Sequence, residues 1–175
     1  MFTDSLKKYT YTLASDEFAG RLANTTSGIK VSNYISKYFK QNGLAPIQQK
    51  SYFQKFPPLY RSTYRPETFD LNAWGFLPKK SNSDFKTQNN SGSHPKKNNS
   101  DFKTQNVIGI VWGSDPNLDH IVVSSHHDHL GRKGNQIFHG ADDNGSGTAA
   151  LIEMSRIVKI ASNQGYKPKR TVVFM

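Results

Sequence analysis

The chain has 175 residues, 35% of them hydrophobic and none of them cysteine, so one domain is expected, disulfides and thiolate metal sites are excluded, and His, Asp and Glu remain as possible ligands. No apolar run approaches the roughly 18 residues that span a bilayer, and the first 13 residues lack the unbroken apolar stretch of a secretory signal, which gives no membrane contact and leaves the compartment open. The net charge of +10 invites a nucleic-acid partner, but the excess is scattered (16 Lys/Arg against 7 Asp/Glu in 1–106, 7 against 6 beyond) and no base-reading helix or aromatic–basic sheet motif accompanies it, so a solvated basic surface and no nucleic acid are expected.

In chain order, Phe2, Leu6, Tyr9 and Leu13 recur at helical spacing and predict a short amphipathic helix. A second helix follows Ser27, where Val31, Tyr34, Ile35, Tyr38 and Phe39 form one apolar stripe with Lys30, Lys37 and Lys40 outside it. Gly43 is placed to end it, and Pro46 prevents its resumption. Residues 57–106 differ: five prolines break any long element, and Asn, Ser and Lys dominate the second half. Within them, residues 78–89 return as 95–106 with one change, at an offset of 17. Two polar copies (78–94 and 95–106) cannot stack into a solenoid core. Residues 57–106 therefore read as a duplicated surface-loop insertion in one domain spanning 1–175, lengthened at small entropic cost.

From Val107 the pattern turns to alternating strands and helices. Residues 107–112 read as a buried strand, 113–116 as a turn, and 121–123 as a second strand running into His126. A helix over 144–161 follows, with Ala150, Met154, Ile157 and Ala161 on one face; Gly165 and Pro168 mark a loop, and 171–174 begin a third strand. This alternation predicts an α/β fold, a partial doubly wound sheet with mainly parallel strands and flanking helices.

Five of the six histidines lie between His120 and His139. The tightest group, Ser125-His-His-Asp-His129, sits at the end of the second strand, where ligands collect in open parallel sheets. In extended backbone His126 and Asp128 point the same way. A carboxylate beside an imidazole takes its other N–H, fixing the tautomer and raising its basicity toward a metal. The turn Gly140-Ala-Asp-Asp-Asn-Gly-Ser-Gly147 returns a carboxylate to the same crevice, and two carboxylate oxygens can bridge two cations. Alone, His-x-Asp reads as a solvated loop and Asp-Asp-Asn-Gly as a turn and helix cap. Together, in that order at the mouth of one sheet, they point to a metal centre.

Ser125-His-His-Asp-His-Leu-Gly131 followed by His139-Gly-Ala-Asp-Asp-Asn-Gly-Ser-Gly147 closely resembles the two leading metal motifs of the family twenty-eight metallopeptidases. The likeness extends to Leu13-Ala-Ser-Asp-Glu-Phe-Ala-Gly-Arg21, to the helix in 27–44, and to Asn106-Val-Ile-Gly109. The resemblance implies an aminopeptidase-like, phosphorylase/hydrolase-like fold and a zinc-dependent exopeptidase that cleaves peptide bonds near a free N-terminus with two zinc ions. It implies His126 as the ligand of one zinc and Asp128 as the active-site carboxylate that orients it. It implies Asp142 as the bridging carboxylate, with Asp143 following across a peptide that is often cis. His127, His129 and His139 receive no ligand role.

In that family an adjacent glutamate pair, one the general base and one a zinc ligand, follows the strand corresponding to 171–174, and a further Asp and His complete the set. None of these precedes Met175. The chain, read as a truncated N-terminal portion, is therefore expected to keep two of the five implied protein ligands, to bind zinc weakly or not at all, to be inactive alone, and to leave apolar sheet surface uncovered. Peptide is the expected partner, with oligomeric state undetermined. The rival readings are a non-catalytic binding module of the same fold and a glutaminyl cyclase-like acyltransferase.

Overall fold

The two apolar stripes of the N-terminal half become helices α1 (Phe2–Leu13) and α2 (Thr26–Gln41). In this computed structural model the described residues are 2–56 and 104–175. Thr25 caps α2, its hydroxyl accepting from the Gly28 N–H, and satisfies one of the four amides that a helix start leaves unpaired. Tyr9, Leu13, Val31, Ile35 and Phe39 are buried, each contributing about 1.5–3 kcal/mol by leaving water. The rings of Tyr9, Tyr34 and Tyr38 meet edge to face between the helices, at centroid distances of 4.8 and 4.9 Å.

The central sheet runs β1 (Ala45–Pro46), β4 (Gly109–Val111), β8 (Val172–Phe174), β5 (Ile121–Val123). Helix α3 (Ser146–Asn163) carries the chain from β5 to β8, which pair in parallel with Val122 opposite Val173. The β1–β4 and β4–β8 pairs are antiparallel. The architecture is thus mixed α/β with flanking helices, and the expectation of mainly parallel strands is corrected. Parallel neighbours need a crossover long enough to hold a helix, and the link from β4 to β5 (112–120) is too short for one. It reverses the chain, and β8 inserts between the two strands.

Alternation along the strands sorts the core. Val111, Val172 and Phe174 face a cluster built from all three helices, while Ile110 and Val173 face the opposite side with Ile47 and Ile108. Gly109 lets α2 close on the sheet, because a Cβ there would stand 2.6 Å from Leu44 Cδ2 and 2.8 Å from Phe39 Cδ2.

Strands β2 (Phe53–Phe56) and β3 (Thr104–Val107) form a separate antiparallel pair with Phe56 opposite Thr104. Residues 104–106, expected to belong to the loop insertion, are therefore strand. Residues 57–103, with all of the duplicated segment except those three, lie outside the described residues. The chain leaves and returns at one paired position, so added length there changes the closure cost only slowly.

The face of α3 also differs from expectation. Met154 and Ile157 are 40% and 41% exposed, whereas Ala149, Leu151, Ile152, Glu153 and Ser155 are buried. The helix is apolar on more than one side, and packing against α1 and the sheet, not periodicity, selects the buried one. Glu153 on that face is fully buried and its carboxylate accepts from Arg156 Nε at 3.0 Å and Nη2 at 2.5 Å. Arg156→Ala, which strands that carboxylate, is expected to cost about 3 kcal/mol of folding free energy in urea titration. An unchanged midpoint would contradict the pairing. No described helix is long and apolar enough to cross a membrane.

Candidate metal centre

The parallel ladder continues beyond β5, with Met175 N–H donating to Val123 O at 2.9 Å and Ser125 N–H to Met175 O at 2.8 Å. The chain is thus still tied to β8 as it reaches His126. The first turn of α3 and Asn144 just before it hold this segment from the other side. Thr148 Oγ1 donates to the His126 carbonyl at 3.1 Å, and Asn144 Nδ2 donates to Ser125 Oγ at 3.0 Å. A short hairpin of β6 (Arg132–Lys133) and β7 (Gln136–Ile137) then leads to the irregular turn Ala141–Gly145.

That turn brings one carboxylate to the histidines, and it belongs to Asp143. Asp143 Oδ1 lies 3.2 Å from His126 Nε2, and Oδ2 lies 3.4 Å from His129 Nδ1. Asp142, the expected bridging residue, contributes its backbone carbonyl to Ser146 Oγ at 3.4 Å. Asp143 is nearly extended (φ −112°, ψ 90°), and neighbouring side chains on extended backbone point to opposite sides, so the carboxylate beside the histidines is that of Asp143 and not that of Asp142. The cis peptide likewise joins Asp143 to Asn144 rather than Asp142 to Asp143.

Asp128 does flank His126, but the nearer acceptor is its main chain. His126 Nδ1 lies 3.2 Å from the Asp128 carbonyl oxygen and 3.6 Å from Oδ1. Nδ1 thus faces that carbonyl, and Nε2 is the ring nitrogen that faces Asp143. His126, Asp128 and Asp143 are all more than half exposed, whereas the His129 side chain is 11% exposed. His129, read from sequence as having no ligand role, thus stands against the same carboxylate as His126. A cleft of about 330 Å³ opens beside His126 and Asp128, with Ser32, Phe56 and Asn106 among its walls.

His127 points away from this face and into the protein, as alternation predicted. Its Nε2 lies 3.2 Å from Ser32 Oγ, whose own proton goes to the Gly28 carbonyl at 2.9 Å, so the imidazole is the donor. Burial pushes the His127 pKa down to about 4; Asp128 opposes the shift, and Arg21 and His126 add to it. His139 pairs with Asp16 on the surface at 2.8 Å.

Sequence reasoning missed Arg21. It is fully buried at positive φ (52°), next to Ala19 and Gly20, which also have positive φ. A Cβ on Gly20 would fall 2.2 Å from the Gly131 carbonyl oxygen, so the 19–21 segment lies directly against the loop after His129. A single arginine carries no periodicity; the run of left-handed residues that seats it is visible only in three dimensions.

The donor types and spacing fit part of a zinc site. Two donors on one tetrahedral zinc, each about 2.0–2.2 Å from the ion, lie roughly 3.3–3.5 Å apart. The 3.2 Å between His126 Nε2 and Asp143 Oδ1 is close to that edge. Among the described residues no group of three or more His, Cys, Asp or Glu side chains is gathered to hold a metal. His126 and His129 sit on different oxygens of Asp143, so the three do not converge on one point.

The sequence model of Peptidase family M28 matches residues 106–175, the stretch that contains every residue of this centre. Among solved structures, LapB from Legionella pneumophila superposes on 98% of the chain with a TM-score of 0.53 at 18% sequence identity. The chain spans 33% of the length of LapB. No curated protein matches the sequence.

Proposed function

We propose that this chain, whose residues 106–175 match the model of Peptidase family M28, is part of a zinc-dependent exopeptidase that hydrolyses peptide bonds near a free N-terminus. The observation that carries this reading is the 3.2 Å approach of His126 Nε2 to Asp143 Oδ1 at the end of a parallel strand. In it, His126 binds zinc through Nε2 and Asp143 supplies the second donor. Asp128 holds the His126 ring by accepting its Nδ1 proton and keeps negative charge beside the ion. A zinc ion held by these residues would supply Lewis acidity toward a scissile carbonyl. The cleft beside His126 receives the substrate chain, its size being that of ordinary small-ligand sites.

Among the described residues neither glutamate is free to act as a general base. Of the described glutamates, Glu17 pairs with Lys30 and Glu153 is sealed against Arg156. General-base assistance is worth about 10²–10⁴ in rate. A polypeptide of these 175 residues is therefore expected to cleave aminoacyl-nitroanilides, with added zinc, no faster than zinc alone. Turnover at enzymatic rates would refute the inactivity. Failure of His126→Ala to alter zinc binding would refute the site.

A further inference from the structure

The strongest unexplained feature is the Arg21 guanidinium. All of its donors are engaged, and every acceptor is a main-chain carbonyl. Nε donates to His127 O at 2.9 Å; Nη1 donates to Leu13 O and His139 O, both at 2.6 Å; Nη2 donates to Gly140 O at 2.7 Å and Asp143 O at 3.4 Å. Those carbonyls belong to three separate stretches of chain. One is the end of α1, another the segment carrying His126 and Asp128, and the third the turn carrying Asp143. The Arg21 main chain adds to the joint, its carbonyl accepting from the His129 N–H at 3.1 Å, while Gly20 O accepts from Gly131 N–H at 2.9 Å.

We infer that Arg21 is the positioning residue of the metal centre, setting the segment of His126 and the turn of Asp143 in register from beneath so that their donor atoms face one another. The inference deepens the proposed function and rests on the site described there. The side chains of His126 and Asp143 are 54% and 68% exposed among the described residues, so their spacing depends on how their backbones are fixed. Both backbones are fixed to one rigid planar fork. Lysine cannot replace it, since an ammonium has three donors and none of the coplanar geometry that spans five carbonyls. Among the described residues no carboxylate is hydrogen-bonded to the guanidinium. The more distant charges of Asp128 and Asp143 oppose the burial that lowers its pKa, so the two acids of the site also favour keeping it charged.

Arg21→Lys tests this on the full chain with two readouts. Amide hydrogen exchange at His129, Gly131 and Gly145 is expected to quicken by about tenfold or more, while Ile152 and Val173 in the core stay within about twofold, as for a local opening. Zinc affinity, measured with zinc alone by competition against a chromogenic chelator, is expected to fall by about tenfold, the range seen when groups supporting a ligand are lost. Arg156→Ala, destabilising but remote, is the control and is expected to leave zinc affinity unchanged. Uniform quickening across loops and core, or an equal loss of zinc affinity in both variants, would make Arg21 merely structural and overturn the inference. If the wild-type chain binds zinc too weakly to titrate, which the two implied ligands of the sequence reading already lead one to expect, the exchange readout alone decides the role of Arg21. If Arg21→Lys does not fold, native-state exchange of the wild type replaces it: the three loop amides must open as one unit, and separate opening energies overturn the joint.

Discussion

Asp143→Asn is expected to weaken zinc binding by about tenfold or more, whereas Asp142→Asn leaves it within about twofold; a supporting group alone is typically worth 10–100-fold, and a direct ligand no less. The difference follows from one residue of backbone geometry. Asp143 presents one oxygen to His126 and the other to His129. Replacing it by the amide removes the negative charge and one of the two oxygen donors while preserving volume. Asp142 is exposed, and its contact is through its backbone carbonyl to Ser146. Its substitution should alter only weak, screened electrostatics at the centre. Isothermal titration with zinc on both variants separates the two assignments. Equal losses would mean that the turn rearranges on binding, and a larger loss at Asp142 would restore the sequence expectation.

Acidification is expected to cost the protein stability through His127. The unfolded imidazole takes up a proton near pH 6.5 and the folded one only near pH 4. Between those values the unfolded chain binds a proton that the folded chain does not, so stability rises with pH across the window. The contribution is fully present above pH 6.5 and is lost as pH falls toward 4, to a total of about 3 kcal/mol. The physical cause is burial: a charged ring would have to be desolvated beside Arg21 and His126, and Ser32, its neighbour at 3.2 Å, offers only a neutral oxygen. Urea midpoints measured from pH 4.5 to 7.5 test this. His127→Gln, which keeps a donor toward Ser32 without a titrating group, should flatten the profile. An unchanged slope in that variant would assign the acid sensitivity elsewhere.

What the sequence disclosed was what local patterning encodes. The stripe through Val31, Ile35 and Phe39, the strand before His126 and the glycine-rich turn before α3 all have short-range signatures, and all appear. Their arrangement depended on longer range. The insertion of β8 between β4 and β5 is decided by which edges meet, so the mixed character of the sheet could not be read from alternation. The apolar stripe through Met154 and Ile157 was real but sits on a side of α3 that nothing described covers. At the site, sequence located the turn, but which of its two carboxylates faces the histidines hangs on backbone angles that local patterning does not encode. Arg21 was hidden for a different reason: its five bonds are all to carbonyl groups, which every residue possesses, so no partner side chain marks them in a sequence.

The chain superposes on a third of a longer protein, and the carboxyl end of β8, where Met175 bonds to Ser125, borders the same cleft as His126. Peptidase chemistry in this architecture is thus a property proposed for the site, with His126 and Asp143 as its first two donors.

Zinc titration of the chain labelled with ¹⁵N in its six histidines tests the convergence of those two donors most directly. The account predicts that Nε2 of His126 shifts first and farthest, that the shift is lost in Asp143→Asn, and that His120 and His127 stay where they were. A zinc-induced shift centred on any other imidazole, or one at His126 that survives removal of the Asp143 carboxylate, would contradict it.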